Sequence, residues 1–67
     1  MTLVLQKANS NESVEFAWSE KALKILLSMD ARAVNATTRG TDTKLFFEVS
    51  ESNFQATKST LLKEGML

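Results

Sequence analysis

Carboxylates are the groups with the widest chemical scope in this chain: Glu12, Glu15, Glu20, Asp30, Asp42, Glu48, Glu51 and Glu64. Glu15 and Glu48 sit at alternating positions of two apolar-polar segments, so they can share one sheet face and approach each other. A carboxylate pair can do general acid–base work only with a desolvating pocket and a group that positions a substrate. The spacing supplies neither, and Lys44 is at hand as an ion-pair neighbour, so both glutamates read as solvated surface residues. Histidine is absent, which removes the commonest general base and metal ligand. Cysteine is absent as well, so there is no thiolate nucleophile, zinc-thiolate site or disulfide.

Three serines, Ser19, Ser50 and Ser52, have no histidine to activate them, and Lys21 or Lys58 alone makes no triad. Arg39-Gly40-Thr41-Asp42 contains a single glycine, which is a hairpin turn and not a phosphate-binding loop. Asn11-Glu12-Ser13 and Asn35-Ala36-Thr37 match the glycosylation acceptor pattern, which carries no weight without a secretory signal. The expectation is a protein that is not an enzyme, with no catalytic, cofactor-binding or metal-ligating residues and no cofactor.

Composition narrows the class further. Sixty-seven residues, 43% hydrophobic and 24% charged, suit one small globular domain over residues 1–67. A domain of this size buries only about 60% of its unfolded surface, so its core is marginal. Eight basic residues balance eight acidic ones, leaving no net positive field to attract nucleic acid or anionic lipid. The apolar runs are only a few residues long, too short for a membrane span, and no signal-like segment opens the chain. The expected location is cytoplasmic, with no membrane partner.

The elements that would carry these residues are written twice, 31 positions apart, in units of roughly residues 2–30 and 32–66. Val14, Phe16 and Trp18 fall on Leu45, Phe47 and Val49, and Ser19-Glu20 falls on Ser50-Glu51. In the first unit, Thr2–Ala8 reads as a strand and Asn9-Ser10-Asn11-Glu12 as a turn of short polar side chains. Ser13–Trp18 alternates as a second strand. Ser19 caps a helix over about Glu20–Met29, with Ala22, Leu23, Leu26 and Met29 inward and Trp18 stapled to Leu23. In the second unit, Arg32–Thr38 and Thr43–Val49 read as strands. Ser50 caps a helix over about Glu51–Glu64 that presents Phe54, Leu61 and Leu62. Gly65 suits a left-handed cap, with Met66 folding back toward Leu61.

The order is ββαββα, an α+β two-layer sandwich. Ranked by apolar content, Ser13–Trp18 and Thr43–Val49 belong in the centre and their hairpin partners at the edges. The predicted sheet order is therefore 1-2-4-3, central strands parallel, helices on one face, with a right-handed crossover through the first helix. Val14, Phe16, Trp18, Leu45, Phe47 and Val49 should then all be buried.

This arrangement resembles a permuted ferredoxin-like sandwich, its last strand moved to the front. From Ser13 onward, strand, helix, hairpin and helix look like the body of small regulatory domains of the ACT type. The glycine-containing strand-to-helix turn of many such domains is replaced by Trp18-Ser19-Glu20, so the resemblance is one of architecture only and carries over no ligand-binding residue.

Function is then sought on spare surface. Val4, Ala17, Ala33 and Phe46 are expected to make a shallow apolar centre on the open sheet face, with Ile25 as a second candidate contact on the first helix. Ile25 and Leu27 widen that helix's apolar arc, whereas Ala56 and Lys58 stand at the matching positions of the second. The expectation is a small non-enzymatic protein-interaction or regulatory module that self-associates as a homodimer or binds another protein. The alternative is a nucleic-acid-associated protein using the open face or the turns carrying Lys7 and Arg39. Only Phe46 is available there to stack a base, and carboxylates flank it.

Overall fold

The computed structural model describes residues 1–67. Its elements are β1 (Thr2–Lys7), β2 (Ser13–Ala17), α1 (Glu20–Ser28), β3 (Arg32–Arg39), β4 (Asp42–Val49) and α2 (Glu51–Lys63).

Local chemistry sets the helix ends. The Ser19 hydroxyl accepts a hydrogen bond from the Ala22 N–H at 3.0 Å, and Ser50 accepts from Asn53 at 3.3 Å, each satisfying a free amide of the first turn. Both helices close with paired C-terminal bonds through a left-handed residue. In α1, Asp30 (φ 63°) donates to the Leu27 carbonyl and Ala31 to that of Leu26. In α2, Gly65 (φ 78°) donates to Leu62 and Met66 to Leu61, the fold-back expected of that glycine.

The two-layer α+β class and the ββαββα order are as the residues indicate, but the strand order is not. The sheet runs β2-β1-β4-β3, with β1 antiparallel to β2, parallel to β4, and β4 antiparallel to β3. The predicted 1-2-4-3 order, and with it the central parallel pairing of β2 and β4, is corrected. β1 takes the centre because Leu3-Val4-Leu5 is a continuous apolar run, exposed by 0%, 4% and 0%, and a strand buried on both faces requires such a run. In β2 only Phe16 is buried, and Glu15 and Ala17 are exposed, the alternation that suits an edge.

Both helices lie on one face. Leu3, Leu5, Phe16, Phe47 and Val49 from the sheet join Ala22 and Leu26 of α1 and Phe54 and Leu61 of α2 in one core, which Ala31 completes. Lys21 at the start of α1 meets Glu64 at the end of α2, while Asn53 Nδ2 donates to the Met29 carbonyl at 3.3 Å. The helices are therefore antiparallel. Thr57 is the one buried polar residue, and its hydroxyl donates to the Asn53 carbonyl at 2.7 Å.

Four burial expectations are corrected. Trp18 lies beyond the end of β2 and is 44% exposed, since an edge strand leaves its flank without a neighbour. Val14 and Leu45 are half-buried, and Leu62 is exposed while Thr57 takes the inward place.

The sequence repeat is not a symmetry of the structure. Bonds from Lys7 N–H to the Glu12 carbonyl and from Trp18 N–H to the Met1 carbonyl mark the first hairpin's hydrogen-bonded pairs, and Leu3–Phe16 and Leu5–Val14 share their phase. In the second hairpin, Gly40 (φ 64°) and Thr41 form a two-residue turn closing on Arg39–Asp42. Ala36–Leu45, which matches Leu5–Val14, then falls on a non-hydrogen-bonded pair. The units share elements and caps but present their apolar residues with opposite pairing phase.

Candidate interaction surface on the uncovered sheet face

Cross-strand register defines the rows of the face that no helix covers. One row is Glu15–Val4–Phe46–Asn35, a second is Ala17–Thr2–Lys44–Thr37, and a third is Ser13–Gln6–Glu48–Arg32. Val4, Ala17 and Phe46 therefore share this face, as expected. Ala33 does not. It pairs with Phe47, whose ring lies in the core, so Ala33 is on the helix side. The cause is a register shift between Ala33 and Asn35 that leaves Val34 as an extra residue, a β-bulge that reverses the face of what precedes it. Ile25 is on α1, half-buried against the core and on the far side of the sheet from Phe46.

The apolar centre is small. Val4 is only 4% exposed although no element lies over it, and it stands on a central strand between Glu15 and Phe46. Phe46 is half-buried and Ala17 exposed. Ion pairs rim this centre: Lys44 Nζ is 3.4 Å from Glu15 Oε1, and Arg32 Nη2 is 3.2 Å from Glu48 Oε1. Glu15 and Glu48 are thus each matched to a cation. They stand two strands apart, about 10 Å by strand spacing, with β1 between them, and do not form a carboxylate dyad.

Toward the hairpin tip the face opens into a broad hollow of about 560 Å³ lined by Thr37, Thr38, Arg39, Asp42, Lys44 and Phe46. Arg39 belongs to none of the six ion pairs of the molecule. Lys7, by contrast, is engaged: it and Lys58 flank Glu12 at 3.7 and 3.8 Å and approach the Phe54 ring at 5.9 and 5.1 Å. Of the two turn cations singled out from the sequence, only Arg39 is free of an ion pair. The hollow itself was not legible in the chain, because it needs the register of β3 against β4.

No group of three or more carboxylates converges in a way that could hold a metal ion, and no helix is long and apolar enough to cross a membrane. Comparison with protein-family models, with curated proteins and with solved structures finds no match to the chain.

Proposed function

We propose that this chain is a small, non-enzymatic, cytoplasmic interaction module of regulatory type that associates with itself through the uncovered face around Phe46. One observation carries the reading: both helices lie on one side of a four-stranded sheet, and the other side has Phe46 on a central strand with nothing of the chain above it. The Glu15–Lys44 and Arg32–Glu48 pairs make the polar rim that surrounds the apolar centre of ordinary protein interfaces. Burying a second surface is worth more to a chain this short than to a larger domain.

The test is Phe46→Glu. The variant should sediment as a smaller species than the parent with its circular dichroism unchanged, and its unfolding midpoint should rise less steeply with protein concentration. A parent that stays monomeric at high concentration removes self-association. Co-purification from native cells then identifies what the face binds.

A second reading, single-stranded nucleic acid, is favoured by one feature: the unpaired Arg39 beside Phe46 in the hollow. It requires affinity for an oligonucleotide that falls with salt and is lost in Arg39→Ala.

A further inference from the structure

β3 is exposed at every one of its eight residues. None of the thirteen backbone hydrogen bonds outside the helices and ladders touches residues 32–41, so its outer edge has no backbone partner. The phase of that edge follows from the turn. Arg39, Thr37 and Asn35 aim their N–H and C=O groups at β4, and Ala36 and Thr38 aim theirs away. The Ala36 N–H indeed finds no strand and is bonded by the Asn35 side chain, Oδ1 accepting at 2.9 Å.

We propose that the outer edge of β3 pairs antiparallel with β3 of a second copy, about a two-fold axis at Thr37, joining two sheets into one of eight strands. The straight segment Asn35–Arg39, bounded by the bulge at Val34 and the turn at Gly40, then places Ala36 opposite Thr38 of the partner. Each copy's two outward N–H and two outward C=O groups are satisfied.

A second copy fits this edge better than an arbitrary strand because the segment complements itself. Thr37 meets the partner's Thr37, a favoured cross-strand pair. Arg39 falls opposite the partner's Asn35, and the two copies' Arg39 side chains are held at opposite ends. Pairing also takes over the Ala36 N–H, which frees Asn35 Oδ1 to accept from the partner's Arg39. The other edge, β2, is only five residues long and carries Glu15 at its centre, which would oppose like charge in a symmetric pair.

The inference rests on self-association but not on Phe46, so the two contacts separate experimentally. Amide exchange of Ala36 and Thr38 in the full chain should slow about fivefold once protein concentration exceeds the dimer dissociation constant about tenfold, with Thr37 unaffected. Asn35→Lys, which puts a cation against the partner's Arg39, should abolish the edge pairing and its amide protection, and Asn35→Asp should tighten it. Thr38→Pro removes an outward N–H, a change edge strands tolerate, and should give a folded protein that lacks the edge pairing. Phe46→Glu should leave the pairing intact. Dimers that survive Asn35→Lys and Thr38→Pro but not Phe46→Glu overturn the edge pairing and leave the face contact standing. A parent monomeric at all concentrations overturns both. Protection of Ala36 and Thr38 that appears only on adding another polypeptide overturns the second copy as the occupant.

Discussion

Val4 shows how much a single position says about this fold. It faces the side of the sheet with no helix, where a valine on an edge strand would be largely exposed, yet it is 4% exposed. Its neighbours on that row, Glu15 and Phe46, belong to strands on either side, so burial follows from the central place of β1. Val4→Ala should therefore cost about 1.5–3 kcal/mol in urea unfolding, whereas Ala17→Ser on the same face of β2 should change stability by less than about 0.5 kcal/mol. Equal small effects at both positions would mean that β1 is not central. The chemistry-bearing residues are legible one at a time, since Ser19 and Ser50 cap helices and Lys44 neutralises Glu15. Ala33 is not, because a one-residue bulge turns the side chains before it over and leaves only Val34, an ordinary β-branched residue, as its trace.

At the scale of elements, the two helices start alike and end with the same bonding, but α2 is longer: 13 residues against 9, a difference of four, or about one turn. The left-handed closing residue is Gly65 in α2 and Asp30 in α1. Asp30 is poorly matched to its place. It is an L-residue at φ 63°, and its negative charge sits at the helix end where carbonyls concentrate negative potential, with no basic residue in the last turn. Asp30→Gly should raise stability by about 0.5–1 kcal/mol, and Asp30→Ala should not, since alanine keeps the strain. Urea midpoints of the two variants measure this directly. A gain from Asp30→Ala as large as that from Asp30→Gly would assign the cost to charge alone.

Across the whole molecule, the antiparallel helices are clasped at one end by Lys21 and Glu64. Each is unfavourably placed alone, a cation in the first turn of α1 and an anion at the end of α2, and each offsets the other. The hydrogen bond from Lys21, and then its charge, hold the Glu64 carboxyl below its ordinary value of 4.5; Lys63 adds to the shift and desolvation opposes it. The folded pKa lies below the unfolded one, so the folded state is favoured above about pH 4.5 and that contribution is lost as pH falls through the lower, folded value. Glu64→Gln should lower the melting temperature near neutral pH and lose less than the parent on acidification below about pH 4.5. Parallel melting curves for both proteins across that range would show that the clasp does not form in solution.

The amino-acid sequence by itself determined the elements, their order and their ends. Those depend on contacts within a few residues: alternation in the strands, Ser19 and Ser50 before the helices, and Gly65 after the second. It also determined that both hairpins turn an apolar side toward helices. Only the tertiary structure decided which strand of the first hairpin meets the second. Counting inward apolar residues favours the segment Ser13–Trp18, with its valine, phenylalanine and tryptophan. Burial on both faces is what a central position demands, and Leu3-Val4-Leu5 alone meets it. The two-sided burial of Val4 and the edge place of β2 follow from that pairing, while the hollow beside Phe46 follows from the register of β3 against β4. Strand order is a competition among long-range contacts, and no local pattern records its outcome.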